Sequence, residues 1–269
     1  MLRSLLISSA LALGLGTAAV AQGGFLPDDV ARFEVLPGWR TAGGTHISAL
    51  RVTLAPGWKT YWRAPGDAGI PPRFDWQGSQ NLAAVAFHWP TPDVFEQNGM
   101  RTVGYKDELI LPMELTPGAH GGDIRIQADV EIGVCQDICI PMSARISARL
   151  GSSTRPDARI TAAISDRPAT AREAGLKTAK CAVEPISDGL RVTATLDMPS
   201  LGRGEIAIFE HPDPTIWVAE AAATRTGPTL TAVTEMVPPS SKPFTLDRSK
   251  LRITVLGAGR AVDIWGCTG

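Results

Sequence analysis

Four cysteines, Cys135, Cys139, Cys181 and Cys267, carry the thiol chemistry available to this sequence. Two of them form Cys135-Gln136-Asp137-Ile138-Cys139, followed at once by Ile140-Pro141. A thiol pair this close can exchange electrons as a reversible disulfide, staple the chain, or hold a soft metal ion. Four residues of extended strand cover about 13 Å, whereas a disulfide needs Cα atoms within about 7 Å. Pairing therefore requires the chain to turn between them. Even-numbered positions from Ile124 to Val134 are apolar, so the strand phase puts Cys135 on the solvated face. Closing so short a loop stabilises the fold by only about 2 kcal/mol in the chain-entropy treatment. Weakly stabilised disulfides are the more readily reduced ones. Asp129, Glu131 and Asp137 lie close in sequence, and negative charge raises a thiol's pKa. If the pair exchanges, its speed must then come from docking with partners; a staple and a metal site stay open at this point.

An even cysteine count in an exported chain suggests two disulfides, with three connectivities open. Position favours Cys181 with Cys267, because this bridge would tie the first and last strands of one unit. Its long loop is worth about 4.6 kcal/mol. For a metal, Met142, Met100, Met113 and His88 are the candidate donors to join the close pair around Cu(I), which prefers soft sulfur. The four histidines (His46, His88, His120, His211) are scattered, and none is near the pair in sequence. The chain shows no nucleophile elbow, no His-Glu-x-x-His motif and no Ser-His-Asp spacing, so a hydrolase is not expected.

The elements that must position these cysteines read as strands. The 269 residues are 44% hydrophobic and 20% charged, with 27 Gly and 21 Pro. Such a composition argues for many turns and against both disorder and a helical bundle. With 26 basic and 27 acidic residues the chain has no nucleic-acid footprint and no polybasic membrane patch. Residues 1–21 read as a signal peptide: Arg3, an apolar run from Leu5 to Leu15, then Ala19-Val20-Ala21. Arg3 is the single charge in that segment, so cleavage after Ala21 takes the net charge from −1 to −2. No later window is long and uncharged enough to span a bilayer. A periplasmic location without a direct membrane span is expected, where disulfides persist.

Alternation of apolar and polar residues runs through Ile124–Val134 and Leu190–Asp197, and more briefly through Leu50–Leu54. Leu251, Ile253 and Val255 lead through Gly257-Ala258-Gly259-Arg260 to Val262 and Ile264, which predicts a C-terminal hairpin. Between Asp157 and Glu173 an Ala-, Arg- and Asp-rich stretch predicts one short helix that Pro168 would break. The expected plan is all-β. Residues 22–150 form one sandwich with Cys135 and Cys139, 151–178 a linker with the short helix, and 179–269 a second sandwich with Cys181–Cys267.

One known family shares this order of motifs. Gly57-Trp58-Lys59-Thr60-Tyr61-Trp62-Arg63 precedes the Gly/Pro-rich stretch Ala64–Pro72. Trp89-Pro90, Phe95, Gly104-Tyr105 and Leu109–Pro112 follow, and Gly133-Val134-Cys135-Gln136-Asp137-Ile138-Cys139-Ile140-Pro141 completes the series. The chain resembles the N-terminal periplasmic domain of DsbD-type thiol:disulfide interchange (protein-disulfide) reductases, nearest the branch of the copper-sensitivity suppressor proteins ScsB. Residues 30–150 carry most of the resemblance.

The resemblance implies two immunoglobulin-like sandwiches and a redox relay without a cofactor or resident metal. Electrons would come from a membrane-embedded donor of the DsbD/ScsB type. They would pass to periplasmic thioredoxin-fold proteins, such as disulfide isomerases or cytochrome c maturation reductases. By position, Cys139 would attack the partner disulfide and Cys135 would resolve the mixed disulfide. The segment Asp93–Gly99 would supply a mobile cap, with Phe95 its aromatic and Tyr61 lining the same site. Two departures stand out. The cysteines are closer together than in the best-known members, and the family's transmembrane and thioredoxin-like domains have no counterpart in these residues. A separate membrane protein would then supply electrons. A copper-binding or copper-delivery protein using the same cysteines, and a non-catalytic envelope interaction module, are the alternative expectations.

Overall fold

The computed structural model describes residues 27–97, 99–118 and 122–269. The expected signal peptide lies outside the described residues, as does His120. A single helical turn, α1 (Pro27–Val30), leads into β1 (Ala31–Arg40), β2 (His46–Leu54), β3 (Lys59–Tyr61), β4 (Arg73–Asp75), β5 (Leu82–Phe87), β6 (Asp93–Gln97), β7 (Met100–Lys106), β8 (Glu108–Pro117), β9 (Ile124–Cys135) and β10 (Cys139–Leu150). These make two sheets, ordered β1-β2-β8-β5 and β10-β9-β3-β7-β6, with β4 also on β9. Their facing sides share a core that includes Trp58, Trp62, Trp89, Leu111, Met113, Val130 and Val134.

The helix α2 (Ala158–Ser165) follows, then β11 (Ala169–Thr170), β12 (Thr178–Pro185), β13 (Leu190–Asp197), β14 (Ile206–Glu210), β15 (Trp217–Val218), β16 (Ala222–Thr226), β17 (Thr229–Val237), β18 (Arg252–Gly257) and β19 (Arg260–Trp265). They form a second pair of sheets, β11-β19-β18-β14 and β12-β13-β17-β15, with β16 on β17. Among the described residues every ladder joins strands within one of the two sandwiches, and all are antiparallel except β11 with β19.

The expected hairpin between β18 and β19 turns at Ala258 and Gly259, both at positive φ (46° and 70°). That matches the two-residue turn whose twist suits antiparallel strands. Cys181 on β12 and Cys267 just beyond β19 are disulfide-bonded, with Cα atoms 5.7 Å apart. β12 and β19 belong to different sheets, so the bond clamps the sandwich across its layers. Thr268 reinforces it: its carbonyl accepts from the Cys181 N–H at 2.7 Å and its N–H donates to Ala179 at 2.9 Å.

The expected linker helix is a docked element. Asp157 caps it, accepting from the Arg159 N–H at 2.9 Å. Ile160 is wholly buried against Leu36, Ile47 and Ala49, with Trp39, Ile110 and Ile164 alongside. α2 thus covers the outer face of β1-β2-β8, which is why Ile47, Ser48 and Ala49 are all buried where a half-wet strand would alternate.

The two sandwiches meet through the sheet β19-β18-β14. Across it run three cross-strand rows: Ile206–Leu256–Ala261, Ile208–Thr254–Asp263 and Glu210–Arg252–Trp265. The first row joins the core of the first sandwich. Arg63, directly after β3, enters the others. Its guanidinium grips Glu210 through two 3.0 Å hydrogen bonds, donates to Thr254 at 3.3 Å and lies 3.9 Å from Asp263. The same group stacks on the Trp62 ring, 3.8 Å from its centroid. Thr254 and Leu256 are buried because both faces of β18 are covered.

Replacing Ile160 by Ala should lower stability by about 3 kcal/mol, the cost of a large buried aliphatic side chain. Urea unfolding would show this as a lower midpoint at unchanged slope. A midpoint within error of the parent would mean that α2 does not support the first sandwich.

Candidate functional site

β9 and β10 are consecutive and antiparallel, and their register places Cys135 directly opposite Cys139. Gln136, Asp137 and Ile138 make the turn, with the Gln136 N–H donating to the Ile138 carbonyl at 3.2 Å. The Cα atoms of the two cysteines are 4.1 Å apart, and a disulfide joins them. The turn that pairing requires is therefore a hairpin.

Around the pair the sheet makes a row of side chains on one face. Lys59 of β3 lies opposite Cys135 of β9, and Lys106 of β7 lies opposite Lys59. The row reads Lys106–Lys59–Cys135–Cys139 across four strands. Residues directly opposite each other point to the same face. Val134, Thr60 and Tyr105 occupy the other side, toward the core.

One step along, Gly104 pairs with Tyr61 and Gly133 pairs with Pro141. Tyr61 leans over Gly133, where a Cβ would stand 2.8 Å from its ring and 2.6 Å from Ile70 Cβ. Only hydrogen fits there. The Tyr61 hydroxyl reaches 3.1 Å from Cys139 Sγ. Burial pushes the Tyr61 phenol above the usual tyrosine range, so it stays protonated and donates to the sulfur. The Thr60 hydroxyl donates to the Gly133 carbonyl at 2.9 Å and holds the strands in place.

Cys135 was expected on a solvated face. Its face is the one the phase predicts, away from the core, but it is only 5% exposed. Neighbouring strands and the Ala64–Pro72 stretch cover that end of β9, burying Gly133 as well. Cys139 is exposed, and Ile138 beside it is 66% exposed. The two cysteines therefore differ in exposure.

Phe95 lies on β6 and is half-buried. It lines, with Cys135, Lys59, Lys106 and Gln136, a cavity of about 400 Å³. The Lys59 ammonium sits 5.0 Å from the Phe95 ring centroid and 3.4 Å from the Thr102 hydroxyl. Phe95 thus shares a cavity with Cys135, and Tyr61 contacts the Cys139 sulfur.

The acidic surroundings expected from sequence are rearranged by the fold. Asp129 is gripped by Arg145 at 2.8 and 3.2 Å, and Glu131 lies opposite Arg73 of β4. Two lysines from distant segments stand in the cysteine row instead. The signal for Lys59 was present: Trp58 and Trp62 are buried and Lys59 and Tyr61 alternate with them. A strand of only three residues gives periodicity little to work with.

The soft donors considered for copper do not converge on the pair. Met142 pairs with Ile132 and is buried in the core, on the opposite face of β10 from Cys139. Met113 is buried in the other sheet, Met100 is exposed on β7, and His88 lies 3.3 Å from Glu114. Among the described residues no group of three or more His, Cys, Asp or Glu side chains is arranged to hold a metal.

Gly133→Ala should push Tyr61 off Cys139. The expected outcome is a loss of about 1–3 kcal/mol from overpacking, with faster reduction of Cys135–Cys139 by a small thiol and no change at Cys181–Cys267. Alkylation and mass spectrometry read each pair separately. An unaltered reduction rate would show that Tyr61 does not shield the sulfur.

Comparison with known proteins agrees with this geometry. The family described as "Thiol:disulfide interchange protein DsbD, N-terminal" matches residues 22–150. No curated protein sequence matches the chain. Among solved structures, the N-terminal periplasmic domain of ScsB from Proteus mirabilis superposes with a TM-score of 0.69 at 22% identity, covering 91% of this chain and 96% of that one. The shared fold thus extends through both sandwiches, further than the sequence resemblance reaches. A marsupial T cell receptor aligns at a TM-score of 0.19 and 10% identity, which carries no weight. Residues 22–150, with their hairpin disulfide and aromatic neighbours, match the DsbD N-terminal family of thiol:disulfide interchange proteins.

Proposed function

We propose that this chain is a periplasmic electron relay. It accepts electrons from a membrane-embedded donor and passes them, through Cys135 and Cys139, to thioredoxin-fold proteins. The observation that carries this reading is the asymmetric hairpin disulfide: Cys139 is exposed and its partner Cys135 is covered. A structural staple has no use for a cysteine at the surface flanked by an exposed apolar residue, Ile138. None of the described helices is long and apolar enough to cross a membrane.

In the reduced state the Cys139 thiolate attacks one sulfur of the partner disulfide. The Cys139–partner bond forms, the partner's S–S bond breaks, and its second sulfur leaves as a thiolate. The Cys135 thiolate then attacks Cys139 Sγ. The Cys135–Cys139 bond forms and the partner's first sulfur departs as a thiolate. Two electrons have moved to the partner, whose thiolates take protons from water. A donor dithiol restores the carrier by the reverse exchange. The Tyr61 hydroxyl, 3.1 Å from Cys139 Sγ, stabilises the Cys139 thiolate by donating to it. Phe95 and the β6–β7 hairpin shield Cys135 until a partner docks. In this reading Cys181–Cys267 is structural.

Cys135→Ser, reduced and mixed with an oxidised thioredoxin-fold protein, should accumulate a mixed disulfide at Cys139. Cys139→Ser should form none. The parent should reduce that protein much faster than it reduces oxidised glutathione, as measured by quenched alkylation. Equal rates with both oxidants, or a Cys135→Ser variant that loses stability without trapping a partner, would rule the relay out.

A further inference from the structure

The exchange mechanism leaves one matter open. When a donor thiolate attacks an oxidised carrier, either sulfur could take the new bond and either could leave. Access favours attack at Cys139, but access alone does not help Cys135 depart. Departure is easiest for the sulfur that best carries negative charge.

We propose that Lys59 is the electrostatic partner of Cys135: its ammonium receives the Cys135 thiolate when Cys139 is attacked, so that Cys139 is the sulfur that bonds to partners and Cys135 the sulfur that leaves. This rests on the relay reading and adds to it the group that sets its direction. The step balances. The incoming thiolate forms a bond to Cys139 Sγ, the Cys135–Cys139 bond breaks, and its electron pair stays on Cys135 Sγ facing the cation.

Three observations place Lys59 in this role. It is the direct cross-strand neighbour of Cys135, on the same face. Both residues line one cavity. The ammonium is held there by the Thr102 hydroxyl at 3.4 Å and the Phe95 ring at 5.0 Å, so it stands partly buried beside an aromatic ring. Charges interact more strongly where they are partly removed from water. Burial draws the Lys59 pKa down, and a thiolate facing it would offset that shift.

The other charges about the site are accounted for. Glu96 also lines the cavity, but its carboxylate lies 3.6 Å from the Arg101 guanidinium, which also binds Glu220. Asp129 is paired with Arg145, and Glu131 lies opposite Arg73. Asp137 sits in the turn between the cysteines. Lys106 is a second cation in the row, one strand further from Cys135 and exposed.

The test is made in Cys139→Ser, which leaves Cys135 as the one thiol of the site. Its ionisation is followed by thiolate absorbance against pH, which needs no reagent to reach the buried sulfur. Adding Lys59→Met should raise the Cys135 pKa by about one unit, the effect of losing a nearby opposite charge. Lys59→Arg should keep it low, and Lys106→Met should move it less. An unmoved pKa in Lys59→Met, or an equal rise from Lys106→Met, overturns the assignment. If Lys59→Met fails to fold, Lys59→Gln replaces it, with the intact Cys181–Cys267 bond as the folding control. The two readings fail separately. A relay that works with Cys135 titrating unchanged removes Lys59, while a shifted titration in a chain inert toward thioredoxin-fold proteins removes the relay.

Discussion

The position of β9 between β10 and β3 is the constraint on which the site depends. A strand fixes which side chains share a face and which residues stand opposite. On one side the β9–β10 ladder brings Cys139 to Cys135. On the other, β3 brings Lys59 to Cys135 and Tyr61 over Gly133. Slipping either ladder by one residue would turn a cysteine or the lysine to the opposite face. The core residues Val134, Thr60 and Tyr105 prevent that slip, because the same shift would bring their partners out of the interior.

The site is thus asymmetric for a geometric reason. Cys135 ends a strand that has neighbours on both edges, while Cys139 begins a strand at the edge of the sheet. Burial follows from that placement, and so does chemistry. The inner cysteine lines a cavity with Lys59, Lys106 and Phe95. The outer sulfur meets a phenol hydroxyl and solvent. Few side chains are needed to make two chemically identical residues behave differently.

Much of this was legible in the sequence, and the remainder was hidden for identifiable reasons. Alternation from Ile124 to Val134 marked β9 and put Cys135 on the outer face. The Ala258-Gly259 turn marked the β18–β19 hairpin, and Pro168 bounded α2. The burial of Cys135 was not legible, because its cover comes from segments about 30 to 75 residues away. Lys59 and Lys106 escaped notice for the same cause: charge read along the chain shows Asp129, Glu131 and Asp137, whereas charge read across the sheet shows the lysines. The docking of α2 and the covered outer face of β18 were also invisible, since one-sided alternation does not reveal what later packs on the polar side. In β18, Thr254 and Leu256 sit on that second side and are buried.

The grip of Arg63 has a mechanical consequence. Interfaces between domains of one chain usually give way at small cost and allow hinge motion. Here, parting the sandwiches would take Arg63 from Glu210 and Asp263, leave both carboxylates to Arg252 alone, and wet the row Ile206–Leu256–Ala261. Opening such a contact costs apolar burial as well as ion pairing. Tyr61 touches the Cys139 sulfur, and Arg63, two residues on, grips the far half. A pull applied at Cys139 thus reaches the contact between the sandwiches through two residues of chain.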